Sequence, residues 1–517
     1  MHRARQVLKS VFGYDDFRPG QAEAVEAILQ GRDVLSVMPT GAGKSICYQV
    51  PALLMEGITL VVSPLISLMR DQVSALCLNG VRAAYLNSSL TPAQYRKALA
   101  NARAGVYKII YVAPERLLTD AFLDFAKNAS IAMVTVDEAH CVSQWGQDFR
   151  PGYLSIAPFI RALPSRPVVA AFTATATEQV QKDVIRLLEL QRPERIFTGF
   201  DRPNRYLEVR HAQDRTQALL DALGELRGTH GIVYCATRRG VEETCAALQQ
   251  AGYAAVRYHA GLPDSERKSA QEAFVRDEAD MIVATNAFGM GIDKSNVHYV
   301  IHMNMPKDME SYYQEAGRAG RDGTDARCIL LYHKQDVPLN QFLIRHSTDD
   351  NDELTDVEKA KLEQRALERL RKMTVYASGR KCLRASILSY FGQAAPESCG
   401  NCAVCCGVET AVEESSALPG ATSHVRRGKK DGLTEGDRAL YERLAALRKR
   451  IAHTRSLPAF IIFSDATLRE MAKKRPRTRA QMLRIAGVGD RKMDAYGERF
   501  LQEIYDFVKE TGESEGW

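Results

Sequence analysis

Four scarcities narrow what this chain can be. No apolar run approaches the roughly 18 residues that a bilayer-crossing helix needs. The opening Met1-His2-Arg3-Ala4-Arg5 leads into an amphipathic segment, not the apolar core of a secretory leader. The expectation is therefore a chain without membrane contact that stays in the cytosol (cytoplasmic) or nucleoid. Cysteine is sparse, 11 in 517 residues, which excludes a disulfide scaffold. Tryptophan occurs twice, and the formal net charge is only +6. That balance permits a polyanionic partner without requiring one, because a basic groove can hide inside a near-neutral total.

What is present is ordinary soluble protein in bulk, 45% hydrophobic and 26% charged, and long enough for three or four domains. Apolar strands alternate with amphipathic helices, which implies an α/β fold built on parallel sheets. The apolar run Asp33-Val34-Leu35-Ser36-Val37 feeds Met38-Pro39-Thr40-Gly41-Ala42-Gly43-Lys44-Ser45, which opens into a helix. Strand, glycine loop and helix are the setting of a phosphate loop. The glycines let backbone N–H groups of Thr40 through Ser45 approach phosphate oxygens, Lys44 can reach the β- and γ-phosphates, and Ser45 can ligate Mg²⁺. Met38 stands where such a loop usually has its first glycine. Upstream, Gln21 carries the donor and acceptor that suit an adenine edge, and Tyr14 offers a stacking face.

A later apolar strand, Ile131-Ala132-Met133-Val134-Thr135-Val136, delivers Asp137-Glu138-Ala139-His140 at its carboxyl end, where ligands of parallel sheets gather. Asp137 can hold Mg²⁺ through water, and Glu138 is placed to deprotonate the water attacking the γ-phosphate. Just beyond lies a Gly/Pro-broken stretch with Trp145, Phe149, Arg150 and Tyr153. Aromatics beside a basic residue either stack on unpaired bases or fill a local core. Ser63 to Gln72 forms a helix start able to hold a nucleic-acid phosphate, and Thr173-Ala174-Thr175-Ala176-Thr177 offers hydroxyls that can pass a nucleotide signal to bound DNA. A second strand series begins near Phe200-Asp201-Arg202-Pro203-Asn204 and has no phosphate loop. It carries a glycine-broken loop over residues 285–293, and then Gln314-Glu315-Ala316-Gly317-Arg318-Ala319-Gly320-Arg321. Arg318 and Arg321, three apart, either meet the γ-phosphate as two domains close or form a solvated basic face.

Past Leu331 the pattern turns helical, and Cys382, Cys399, Cys402 and Cys405 follow with the spacing of a structural, tetrahedral Zn²⁺ site. Cys406 is left over. Residues 407–433 show little periodicity and are expected to be a flexible linker. Residues 434–508 are expected to be helical, with Arg438, Arg443, Arg448, Lys449, Arg450 and Arg455 on the first helix. The Gly487-Val488-Gly489 turn between cations can present N–H groups to a phosphate.

Taken together these stretches resemble the RecQ family of DNA helicases, within superfamily 2, over residues 12–405 and again from 434 to the end. Phe17-Arg18-Pro19-Gly20-Gln21 is similar to that family's adenine-reading motif, residues 145–153 to its aromatic-rich loop, and residues 314–323 to its arginine-finger motif. The resemblance implies two RecA-like parallel-sheet domains (1–199 and 200–334), a zinc-binding helical subdomain (335–406), a linker (407–433) and an all-α HRDC-like domain (434–517). It implies ATP, Mg²⁺ and Zn²⁺ as cofactors. Tyr14, Arg18, Gln21, Thr40, Gly41, Ala42, Gly43, Lys44 and Ser45 would bind ATP, with Ser45 and Asp137 for magnesium. Lys44, Glu138, Arg318 and Arg321 would be catalytic, and Trp145, Phe149 and Arg150 would couple DNA to hydrolysis. The implied activity is ATP-dependent 3′ to 5′ unwinding of single-stranded and forked DNA in repair and recombination, with single-strand-binding or recombination proteins as candidate partners. One departure stands out: the winged-helix domain usual before the helical tail has no room in 27 residues, since an independent domain needs roughly 50. An ATP-driven single-strand translocase with weak unwinding, an RNA helicase, and a zinc-containing nucleic-acid scaffold therefore stay open as alternatives.

Overall fold

The computed structural model describes residues 1–146, 148–288, 294, 296–349, 356–408, 433–455 and 457–511. Residues 289–293 of the loop expected at 285–293 and residues 409–432 of the expected linker lie outside the described residues.

The first sheet contains β1 (Val34–Val37), β2 (Ile58–Val62), β3 (Ala83–Leu86), β4 (Ile109–Val112), β5 (Ile131–Val136), β6 (Val168–Thr173) and β7 (Glu194–Phe197). Their order is β3-β4-β2-β5-β6-β1-β7, and every neighbouring pair is parallel. Parallel pairing demands crossover connections, here mostly helical, and these cover both faces, which is why β1, β2 and β4 are buried along their whole length. Successive side chains point to opposite faces. Leu35, Leu60 and Val134 pack into one core while Val34, Val61 and Met133 pack into the other.

The second sheet holds β8 (Arg205–His211), β9 (Gly231–Tyr234), β10 (Ala255–Tyr258), β11 (Met281–Ala284), β12 (Tyr299–His302) and β13 (Ala326–Tyr332) in the order β10-β11-β9-β12-β13-β8, again all parallel. Strands β1 and β5 lie where their apolar runs predict. Strands β3, β7, β8 and β13 carry polar residues or lie beside helical patterns, and hydrophobic pattern alone does not single them out. The paired carboxyl ends of β5, β6 and β1 bring Asp137, Thr173 and the phosphate loop side by side.

Helices Asp336–Asp349, Asp356–Ser378 and Leu383–Tyr390 follow β13 and lead to the four cysteines. This region is welded to the second sheet by an aromatic cluster in which Phe391 stacks on Phe200 with ring centroids 4.2 Å apart. Arg384 adds bonds to the Asp201 carboxylate and to the Arg205 carbonyl. Tyr390 donates to Glu310 Oε1 at 2.6 Å, while Oε2 is buried with no partner. Burial, with the Asp308 charge, pushes Glu310 up to about 7 from 4.5. Because the folded value lies above the unfolded one, the folded chain holds the proton longer, and stability falls as pH rises from 4.5 to 7. Glu310→Gln is thus expected to leave stability unchanged near pH 4 and to raise it by on the order of 3–4 kcal/mol above pH 7, since each pKa unit is worth about 1.4 kcal/mol. Denaturant unfolding of both chains at pH 5 and pH 8 checks this, and an equal difference at the two pH values would contradict it.

The C-terminal helices, from Glu435–Thr454 to Glu498–Thr511, enclose a separate core that includes Leu444, Phe463, Met471, Phe500 and Ile504. Several cations expected on an open basic face are used inside the protein. Arg448 is buried and pairs with Asp465 at 2.6 Å, Arg443 pairs with Glu503 and Glu510, and Lys449 Nζ donates to the Asp277 carbonyl at 2.7 Å. The glycine turn is likewise taken: the Gly487 N–H donates to the Gly13 carbonyl at 2.9 Å. Arg469 reaches Asp322, and Lys9 Nζ reaches the Leu483 carbonyl at 2.8 Å. The helical domain therefore seats on both sheet domains through Lys449, Arg469, the Leu483 carbonyl and the Gly487 turn, of which only the turn was read from sequence as a phosphate contact.

Candidate nucleotide site and nucleic-acid interface

The phosphate loop owes its shape to Gly41 and Gly43, whose φ angles of 85° and 80° suit glycine. Gly43 caps the helix Lys44–Leu54, so the helix's free N–H groups and its positive end face the loop's hollow. Met38 causes no obstruction. Its side chain is fully buried beneath the loop with Ala24, Cys47 and Ile196, which explains how a large residue replaces the usual glycine. Lys44 Nζ donates to the Met38 carbonyl at 3.3 Å and folds back over the loop.

Gln21 is buried, and its amide is occupied by the protein itself. The Arg18 N–H donates to its Oε1 at 2.9 Å, and its Nε2 donates to the carbonyls of Ala42 and Gly43 at 2.8 and 3.1 Å. The second lone pair of Oε1 is left for an adenine donor, whereas Nε2 can donate to an adenine edge only by giving up one of those carbonyls. Arg18 Nη1 donates to the Gly41 carbonyl at 2.9 Å, and Tyr14 is exposed nearby in sequence.

Asp137 is buried, and Glu138 follows with φ of 47°, a left-handed conformation that a glutamate adopts only under constraint. The constraint is local: the Glu138 N–H donates to Asp137 Oδ1 at 3.0 Å, and Tyr153 Oη donates to the Asp137 carbonyl at 2.8 Å. Of the two roles the sequence left open for Tyr153, base stacking or a local core, the structure shows the core: it is a buried support for the acids. Burial, reinforced by the Glu138 carboxylate, pushes Asp137 up to about 7 against the pull of Lys44. A buried carboxylate beside a second one, with a serine hydroxyl on the adjoining loop, is a hard-oxygen donor set that fits Mg²⁺.

His140 extends the acid pair towards the second domain. Burial pulls its pKa down, so the ring is neutral at pH 7. Its Nδ1 lies 2.8 Å from Thr173 Oγ1 and 3.4 Å from Glu138 Oε2. Thr173 spends its own proton on the Thr175 carbonyl at 3.0 Å, so Nδ1 is the donor. Gln314 Nε2 then donates to Thr175 Oγ1 at 3.0 Å. A polar chain thus runs from Glu138 through His140, Thr173 and Thr175 to the helix Met309–Ala316 of the second sheet domain.

The two expected arginines part company. The Arg321 side chain lies over Gly41, where an added Cβ would meet its Cγ at 3.2 Å, while Arg318 is buried beside Tyr234. Arg202, which sequence reading used only to mark a boundary, also reaches the loop: its Nη2 donates to the Thr40 carbonyl at 2.7 Å.

In the aromatic loop Trp145 is 44% exposed, Phe149 is half-buried, and Arg150 pairs with Asp148 at 2.9 Å. Arg150 Nη1 also donates to the Pro64 carbonyl at 3.2 Å, just before the helix Ile66–Leu78 that was read as a phosphate holder. The Trp145 face is covered by Arg365, whose guanidinium carbon sits 3.6 Å from the ring centroid, and Arg369 donates to the Trp145 carbonyl. Both arginines belong to the helix Asp356–Ser378, and that helix's strong charge was the sole hint of them.

The four cysteine sulfurs lie within 4.8 Å of one another, with Cys399–Cys405 and Cys382–Cys402 each at 4.0 Å. Tetrahedral Zn–S bonds of about 2.3 Å require S···S spacings near 3.8 Å, so the quartet fits zinc. Cys406 is exposed and turned to the Gly400 carbonyl.

Residues 18–184 match the DEAD/DEAH box helicase family, 214–323 the helicase conserved C-terminal domain, 334–406 the RecQ zinc-binding family and 437–504 the HRDC domain. The chain is 37% identical to the ATP-dependent DNA helicase RecQ of Bacillus subtilis (strain 168), across 99% of its own length and 100% of that protein's. The chain belongs to the RecQ family. RecQ of Pasteurella multocida (strain Pm70) is 36% identical over 98% of the chain and 94% of its own length. In fold alone, the DUF1998 helicase MrfA bound to DNA is similar at a TM-score of 0.55 and 20% identity, covering 67% of this chain and 53% of that one. RecQ membership accounts for the order of two RecA-like domains, zinc region and HRDC domain, and among the described residues no helix is long and apolar enough to cross a membrane.

Proposed function

We propose that the chain is an ATP-dependent DNA helicase that moves 3′ to 5′ along single-stranded DNA and opens forked duplexes in repair and recombination. The observation that carries this reading is the polar path from Glu138, whose Oε2 lies 3.4 Å from His140 Nδ1, through the hydrogen bonds of His140, Thr173 and Thr175 to Gln314, because it sets the residue that activates water beside a link to the opposite lobe of the cleft. A closed cleft sets Glu138, and an open one releases it. ATP sits on the loop 40–45, held by Lys44, Arg18 and the helix's N-terminal amides, while Arg321 meets the γ-phosphate from the second domain. Mg²⁺ held by Ser45 and Asp137 would neutralise charge developing on the phosphates.

Single-stranded DNA lies across both domains. Arg150 links the aromatic loop to the helix start at Pro64, so a base stacked on Trp145 and a phosphate at that helix act on one structural unit that leads back to Glu138. The expected result is ATP turnover raised at least about tenfold by single-stranded DNA, with unwinding of a fork bearing a 3′ tail. Turnover that ignores the oligonucleotide would refute the coupling. A second reading, a single-strand translocase with weak unwinding, draws on the 27 residues at 407–433, which leave no room for a strand-separating domain. In that case ATP is consumed and the fork stays paired.

A further inference from the structure

Three guanidinium groups from three distant stretches converge on two consecutive residues of the phosphate loop. Arg18 donates to the Gly41 carbonyl, Arg321 lies over Gly41, and Arg202 donates to the Thr40 carbonyl from the far side of the cleft. Among the described residues no carboxylate pairs with Arg202. Its surroundings disfavour its charge: burial pulls its pKa down, the Tyr313 hydroxyl opposes this, and the Arg18 and Arg321 charges add to the pull. Its Nε is buried without a hydrogen-bond partner, while Nη2 holds a single neutral carbonyl.

Nε–H and Nη2–H form one edge of the guanidinium, spaced to grip two oxygens of one phosphate. In this structure that edge is half used. The backbone beneath it is fixed, since the Arg202 carbonyl accepts from the Arg205 N–H at 3.1 Å and from Arg384, and Pro203 follows. A rigid base, an under-used fork and two like charges alongside describe a side chain placed for an anion larger than any carbonyl.

We propose that Arg202 is a further nucleotide-binding arginine, supplied by the second domain, which exchanges the Thr40 carbonyl for the terminal phosphate of ATP. The inference rests on the ATPase reading above and adds a residue outside the arginine-finger stretch. Thr40 and Gly41 form the part of the loop facing the second domain, so Arg202 discriminates a triphosphate, which presents a terminal phosphate there, from a diphosphate, which does not.

The test is equilibrium binding by the full chain of a non-hydrolysable ATP analogue and of ADP, each with Mg²⁺, for the parent chain, Arg202→Gln and Arg202→Lys. Arg202→Gln is expected to weaken the analogue by about 30- to 100-fold and ADP by less than about threefold. Arg202→Lys, which keeps the charge but not the fork, should fall between. Equal losses for analogue and ADP, or no loss for either, would overturn the proposal, the first by making Arg202 a general support of the cleft. If Arg202→Gln does not fold, Arg202→Lys carries the same comparison, with an expected loss of about tenfold for the analogue alone. A parent chain that binds both nucleotides yet hydrolyses no ATP with DNA present would sink the ATPase reading while leaving the Arg202 comparison intact.

Discussion

Lys44→Ala is expected to lower DNA-stimulated ATP turnover by at least about a hundredfold, a loss of roughly 3 kcal/mol or more of transition-state stabilisation. Single-strand affinity should stay within a few-fold of the parent chain's. The reasoning is geometric. Lys44 lies at the first turn of the helix Lys44–Leu54 and now folds over the loop to the Met38 carbonyl. In the proposed function it is the cation that the loop would provide for the β- and γ-phosphates, where charge accumulates as the terminal bond breaks. The segments proposed to meet DNA, the loop carrying Trp145 and Arg150 and the helix start near Pro64, are held together by contacts that do not involve Lys44. Phosphate release and fluorescence anisotropy on the same preparation separate the two effects. Unchanged hydrolysis would remove the loop from the active site, and lost DNA binding would mean that the substitution had damaged more than the chemistry.

Cys402→Ser is expected to reduce zinc to well under one ion per chain and to lower the melting temperature by roughly 10 °C. Zinc ligation in small domains is worth on the order of 10 kcal/mol, because the ligands gather only in the folded state. Here the quartet is tied into the second sheet. Cys402 pairs as an isolated bridge with Leu207, the Ala403 N–H donates to the Leu207 carbonyl at 2.8 Å, and Asn401 Nδ2 donates to the Pro203 carbonyl at 2.8 Å. These bonds fix the start of β8 and the segment carrying Arg202, so loss of zinc should reach the nucleotide cleft and depress turnover as well. Metal analysis with a thermal melt checks both parts. A variant with full zinc and a parental melting temperature would exclude Cys402 as a ligand.

Much of the chemistry was legible because it rests on short contiguous stretches. A loop with two glycines in left-handed conformations, a Lys-Ser pair and a following helix form one local object, and so do adjacent acids at the end of an apolar strand. The cysteine quartet was legible from spacing for the same reason. What eluded sequence reading was long-range. Arg202 lies 162 residues from the carbonyl it holds, and Arg369 lies 224 residues from the Trp145 carbonyl. Nothing local in either segment announces such a meeting. For Tyr153 the sequence left base stacking and a local core both open, and burial under Asp137 decides for the core, where it supports the acids.

The basic C-terminal helix teaches the same lesson in charge. Sequence counts cations but cannot pair them, and Arg443, Arg448 and Lys449 turned out to be engaged by Glu503, Asp465 and Asp277. By itself the sequence determined the strand ends that carry the glycine loop and the adjacent acids, the four cysteines that cluster and the family, since all of these follow from near-neighbour spacing and backbone preference. Tertiary structure alone decided which arginines face the phosphate loop, how Glu138 is connected to the opposite lobe, and that the Gly487 turn binds the Gly13 carbonyl. Those outcomes depend on how separately folded units are set against one another, and the direction of a side chain across a cleft is fixed by packing far away in the chain.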